Sequence, residues 1–134
     1  MGAGWQTMRN LIKTLLLMLM LIFSHAAIAG DFDEGFAAAQ KGDFATAHRL
    51  WTPLAEQGDA DAQCNLGIMY ENGQGAAQDY KTALKWYTLA AEQGNSIAQS
   101  NLGWMYDNGK GVVQDYKTAV KWYTLSAERG NALA

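Results

Sequence analysis

Residues 60–95 read ADAQCNLGIMYENGQGAAQDYKTALKWYTLAAEQGN, and residues 96–131 read SIAQSNLGWMYDNGKGVVQDYKTAVKWYTLSAERGN. The two stretches align without a gap, and 25 of their 36 positions are identical. A functional site seldom recurs with its loop, acid, lysines and aromatics all in register, whereas a building unit must. A period of this length marks an architecture of stacked supersecondary units, each burying its apolar face on the next.

Each unit predicts two helices. Ala62, Leu66, Met69 and Tyr70 fall at i, i+4, i+7 and i+8, one apolar face, and Ala83, Trp86, Tyr87, Ala90 and Ala91 form another. Asp79 and Asp115 stand where a carboxylate caps the second helix, and Gly94 and Gly130 stand where it ends. Gly67 and Gly103 fall inside the first helix, at a propensity cost of about 1 kcal/mol each, which is expected where a neighbouring helix crosses at close range. The Gly-x-Gly at 73–75 has a helix before it and three residues between it and the next cap, so it reads as a helix-to-helix turn and not a phosphate cradle. Lys81, Lys85, Lys117 and Lys121 occupy the solvated face.

Residues 31–59 form a variant unit. Asp43, Phe44, Ala47, Ala55 and Gly58 precede Asp79, Tyr80, Ala83, Ala91 and Gly94 by one period. Gly35 lies eight residues before Asp43, whereas Gly67 lies twelve before Asp79, so the first unit has the shorter loop. Residues 132–134 are expected to begin a further helix. The fold class is therefore all-α, a stack of αα-hairpins.

The shared pattern, A-x-A-Q-x-x-L-G-x-x-Y-x-x-G-x-G-x-x-x-D-x-x-x-A-x-x-W-x-x-x-A-A-x-x-G, resembles the Sel-1-like repeat, a long-looped relative of the tetratricopeptide repeat. Residues 31–59, with their Gly-Asp-Phe turn, resemble an ordinary tetratricopeptide unit. The resemblance implies a right-handed α-solenoid whose concave groove receives a protein or peptide.

Residues 1–29 have the make-up of a secretory signal. Arg9 and Lys13 supply the positive end, Leu15 to Phe23 an apolar run, and Ala27-Ile28-Ala29 a cleavage motif before Gly30. The complete signal can also start at Met8. Residues 30–134 form one domain, which would be exported to the periplasm or secreted and hold no membrane contact after cleavage. That domain keeps eight of the ten basic residues and all thirteen acidic ones, a formal charge of −5, which gives no electrostatic attraction to nucleic acid.

No catalytic constellation appears. His48 and Cys64 are single in the domain, so neither a metal site nor a Cys–His nucleophile has its partners, and no cofactor is expected. Asp31, Asp33 and Glu34 lack the spacing of a calcium loop. Ser100 stands one period after Cys64, which implies a small, part-exposed residue there rather than a reactive thiol.

The candidate binding surface is a stripe on the first helices, off the core face. It comprises Asp61, Asn65, Ile68 and Glu71 in one unit and Ile97, Asn101, Trp104 and Asp107 in the next. Trp104 replaces Ile68 where the core pattern does not demand an apolar residue, and tryptophan is enriched among binding anchors. By the resemblance, the stripe lines the groove, and Asn65 and Asn101 hold a ligand's backbone or carboxylate. The leading reading is an interaction module without catalysis. One alternative is the β-lactam binding or hydrolysis associated with some exported relatives, which carry a cysteine pair per repeat that this chain lacks. Another is self-assembly through an uncapped face around Trp122 and Tyr123.

Overall fold

The computed structural model describes residues 2–133, apart from the side chains of residues 23–26 and 131–133. Six helices follow one another: α1 (Gly2–Gln40), α2 (Phe44–Glu56), α3 (Ala60–Asn72), α4 (Tyr80–Glu92), α5 (Ser96–Asn108) and α6 (Tyr116–Leu133). Each packs on its neighbours in sequence, and α3 also touches α5. Contacts that run mainly between consecutive elements make a solenoid, in which each hairpin rests on the one before it.

Local chemistry sets the ends of the helices. The Asp43, Asp59 and Asn95 side chains accept from the backbone N–H three residues on, that of Thr46, Ala62 and Ala98. Asp79 accepts from the N–H groups of Lys81 and Thr82 and from the Thr82 hydroxyl, and Asp115 repeats this with Lys117 and Thr118. These bonds satisfy donors that the first helical turn leaves unpaired. α3 and α5 end at Gly73 and Gly109, both left-handed (φ 67° and 63°), a conformation without penalty for glycine.

Two apolar clusters hold the stack together. The first joins Ala47, Trp51, Leu54 and Ala55 of α2 to Ala62, Leu66 and Met69 of α3, with Trp86 reaching across from α4. The second joins Cys64 to Ala83, Tyr87, Ala90 and Ala91 of α4 and to Ala98, Leu102 and Met105 of α5. Tyr87, Leu66, Leu102 and Met105 are fully buried, and burying each such aliphatic side chain stabilises by about 1.5–3 kcal/mol.

The helix glycines confirm the close crossing. A Cβ on Gly67 would lie 2.5 Å from the Tyr87 ring, and one on Gly103 would lie 2.9 Å from the Tyr123 ring. Gly35 meets Trp51 in the same way, so the variant first unit keeps the device with a different aromatic. The Gly-x-Gly turn has its own close approach. A Cβ on Gly75 would be 2.5 Å from the Phe44 carbonyl oxygen, and one on Gly111 would be 2.6 Å from that of Tyr80. These glycines let the loop settle on the first residue of the preceding second helix.

α1 runs unbroken from Gly2 to Gln40, across the predicted cleavage motif at 27–29, and two other expectations differ from what the structure shows. Ile28 and Phe32 pack against the first cluster, and the Trp51 indole donates to the Phe32 carbonyl at 3.2 Å. α6 passes through Gly130 to Leu133, where a turn and the start of a further helix were expected. At Gly94 the turn is favoured because α5 follows and packs back on α4. Gly130, by contrast, stays out of the left-handed region, and the helix continues through it. Cys64, expected to be part-exposed, is buried between α3 and α4.

Gly67→Ala forces a methyl into the Tyr87 ring and is expected to destabilise by about 1–3 kcal/mol, as overpacking does. Gly130→Ala meets nothing within 4 Å, so it should gain helix propensity, up to about 1 kcal/mol. Thermal unfolding followed by circular dichroism distinguishes the two; a lower midpoint for Gly130→Ala would mean that α6 ends there. The caps give a second test. Hydrogen bonds from Thr82 and Thr118, side chain first and then backbone, hold the Asp79 and Asp115 carboxyls below the usual carboxylate value of 3.8. A lowered folded pKa contributes stability that is complete above the unfolded value and is lost as pH falls through the folded one. A double Asp79→Asn, Asp115→Asn variant keeps the cap and should therefore lose less stability than the wild type on acidification below about pH 4.

Candidate functional site

The contact between α3 and α5 brings the two halves of the predicted stripe onto one side of the stack. They are not equivalent. On α3, Asp61 accepts a hydrogen bond from the Asn95 amide at 3.0 Å, tying it to the cap of the next helix. Ile68 is half-buried and packs against the second cluster. Glu71 accepts the hydroxyl hydrogen of Tyr87 at 2.5 Å. Asn65 is half-buried. The α3 half is thus engaged largely with the fold itself.

The α5 half is open. Ile97 is 60 % exposed and Trp104 is 37 % exposed, seven residues apart and therefore on nearly the same face. Asn101 lies between them, half-buried, and its side chain opposes the upward shift of the Tyr87 phenol. Asp107 is half-buried, and its charge acts on Tyr123. The surface therefore offers an indole and a sec-butyl group with polar groups at its edge. Such a surface can hold an apolar side chain of a partner while the flanking groups meet its backbone.

Sequence reasoning missed the group that joins the halves. Glu71 accepts from the Tyr87 hydroxyl and Asn101 acts on the same phenol, although the three come from three helices. Burial, followed by the Glu71 hydrogen bond and charge, pushes the Tyr87 phenol far above its ordinary value, so it stays protonated and works as a donor to Glu71. No local signal announces this. The three residues are 16 and 14 positions apart, and only the packed hairpins bring them together.

The other chemistry-bearing residues have structural partners. His48 Nε2 lies 3.1 Å from the Tyr70 hydroxyl, with the two rings edge to face at 5.6 Å. Lys85 and Lys121 are exposed, and each ammonium lies over the adjacent tryptophan ring, at 5.1 and 5.9 Å from its centroid. Among the described residues no group of three or more His, Cys, Asp or Glu is placed to hold a metal ion. Burial, aided by the Asp61 charge, pushes the Cys64 thiol up to about 12, which suppresses the thiolate a nucleophile needs.

Comparison with known proteins gives a consistent picture. The family model for the Sel1 repeat matches residues 60–95 and 96–131. A solved structure of a protective antigen of uropathogenic Escherichia coli strains, displaying an SLR fold, is similar at 33 % identity with a TM-score of 0.75. The match covers 82 % of this chain and 24 % of that one. A Sel1 repeat protein from Oxalobacter formigenes is similar at 32 % identity and a TM-score of 0.70, over 74 % of this chain and 39 % of that one. The present chain thus spans well under half the length of either. Cysteine-rich protein B of Helicobacter pylori shares the fold at 20 % identity and a TM-score of 0.61, over 78 % of this chain and 89 % of that one. No curated protein matches significantly.

The single cysteine of this chain gives a direct check on the packing between α3 and α4. Cys64 is expected to resist a thiol-reactive dye in the native protein at pH 8 and to label fully once denaturant unfolds the stack. Labelling of the native protein as fast as a free thiol would contradict the burial.

Proposed function

Because the chain belongs to the Sel1 repeat family, whose members generally mediate protein–protein interaction, we propose that it is an exported interaction module. The α5 surface receives the partner. The observation that carries this reading is the pair Ile97 and Trp104, two exposed apolar side chains on one helix face, with Asn101 half-buried between them. Their counterparts one repeat earlier are Asp61, held by Asn95, and Ile68, packed on the second cluster. The same backbone position therefore carries an internal contact in one unit and an available surface in the next. Tryptophan in such a position contributes large, rigid contact area, the usual make-up of a dominant anchor.

The occupant that fits is a polypeptide segment with an apolar side chain for Trp104 and Ile97 and backbone groups for Asn101 and Asn65. Export is supported by the N-terminal half of α1. It is the one helix among the described residues long and apolar enough to cross a membrane, with a mean hydropathy of 2.1 and none of that window buried against the domain. A secretion signal delivering the solenoid to the periplasm or the medium has these properties.

The test uses immobilised protein and a cell-envelope fraction, with partners recovered by the wild type and by an Ile97→Ser, Trp104→Ala double variant compared quantitatively. Both residues are exposed, so the variant should keep its helical signal and unfolding midpoint. Loss of a dominant anchor costs about 2 kcal/mol or more, so retained partner should fall by roughly thirtyfold. Equal recovery by the two proteins would place the binding surface elsewhere.

A further inference from the structure

The two copies of the repeat differ at one pair of positions whose consequence lies on another face of the stack. At the junction of α2, α3 and α4, the buried Gln63 donates its amide to the Ala55 carbonyl at 3.0 Å. Its oxygen is met by the Gln93 amide at 2.8 Å, and the same Gln93 nitrogen donates to the Gly58 carbonyl at 3.0 Å. A carboxamide thus plugs the junction, and its NH2 group bridges two acceptors.

One period later the plug is missing. Gln99, only 4 % exposed, donates to the Ala91 carbonyl at 3.1 Å as Gln63 does to Ala55. That bond fixes the amide's orientation, since a flipped amide would set oxygen against oxygen. The Gln99 Oε1 is left buried with no hydrogen-bond partner. The residue in the place of Gln93 is Arg129, whose guanidinium lies against Gly94 without closing on Gln99. Beside it opens a cavity of about 530 Å³, lined by Gln99, Trp122, Leu125, Glu92, Glu128 and Arg129. Trp86 is buried at the plugged junction, whereas Trp122 is half-buried at the open one. This volume exceeds the roughly 30 Å³ share of one water many times over and lies within the range of small-ligand pockets. A buried acceptor left unpaired at this junction costs free energy until a donor reaches it.

We propose that this cavity is a binding site for a primary carboxamide, carried either by the side chain of a glutamine or asparagine in a partner polypeptide or by a small free amide. The NH2 group bridges Gln99 Oε1 and the Gly94 carbonyl, as Gln93 bridges Gln63 and Gly58. The amide oxygen accepts from Arg129, and the apolar part of the ligand lies on Trp122 and Leu125. Glu92 and Glu128 balance Lys121 and Arg129 around the opening, so the lining favours a neutral polar group over an ion. The site is separate from the proposed groove. At about 100° per residue, Gln99 lies on α5 about 200° from Ile97 and 140° from Trp104.

The test follows the Gln99 side-chain amide and the Trp122 indole by NMR in the full chain, held in detergent micelles and nitrogen-labelled at glutamine and tryptophan. Two carboxamide probes, N-acetyl-glutamine N-methylamide and benzamide, are titrated against their carboxylate counterparts, N-acetyl-glutamate N-methylamide and benzoate. Saturable shifts of both signals with a carboxamide, and not with its carboxylate counterpart, are expected, and the more effective probe identifies the peptide-like or the free-amide source. Arg129→Gln restores the internal plug, so it should raise the unfolding midpoint and weaken the response by at least roughly tenfold. No shift with either carboxamide, equal shifts with the carboxylates, or an undiminished response in Arg129→Gln would each overturn the proposal.

Discussion

A glycine lying under an aromatic ring sets the geometry of every hairpin in this protein. Gly35 lies under Trp51, Gly67 under Tyr87 and Gly103 under Tyr123, with the missing Cβ in each case replaced by ring atoms of the partner helix. The ring therefore approaches the backbone itself, and the separation of the two helices is fixed by contact between rigid groups. A helical glycine costs about 1 kcal/mol against alanine, and the buried ring more than offsets it. With this distance fixed, Ala83, Ala90, Ala91 and Ala98 fill the remaining space, because larger side chains have no room between helices held so close.

Much of this was legible in the sequence because repetition converts a single observation into two. The glycines inside the first helices contradict local propensity, and a contradiction repeated at the same interval points to packing. The aspartate caps, the Gly-x-Gly turn and the apolar faces were readable for the same reason, since each depends on residues a few positions apart. What escaped depends on distant partners. The burial of Cys64 requires α4 and α5 to close over it, and Ser100 in the equivalent position, half-buried on the less enclosed α5, suggested a freer environment. The engagement of Glu71 with Tyr87 could not be inferred from a stripe drawn on one helix. The passage of α6 through Gly130 was not readable either, because Gly94 one period earlier stands just past the end of α4.

The candidate surface was legible only as a set of positions, and the structure divides it. Sequence reasoning treated Asp61 and Ile97, or Glu71 and Asp107, as equivalent places on equivalent helices. In the stack they differ, because α3 has α5 beside it and, among the described residues, α5 has no such neighbour on its far side. Trp104 is the case in which the sequence signal and the open environment coincide. The Gln93 to Arg129 difference was also visible among the eleven that separate the copies. Its meaning required the hydrogen bonds of the other copy as a template.

The contact of Gly75 with the Phe44 carbonyl, and of Gly111 with that of Tyr80, has a wider consequence. Here one unit meets the previous one through backbone, with no side chain contributed by the loop glycine. The angle between successive units is thereby indexed on atoms that every sequence shares. Residues on the outward faces of the first helices can then differ from unit to unit, as Asp61 and Ile97 do, without touching these backbone contacts. Shape and specificity are held by separate sets of atoms, and a surface can acquire a new partner without the scaffold having to be rebuilt.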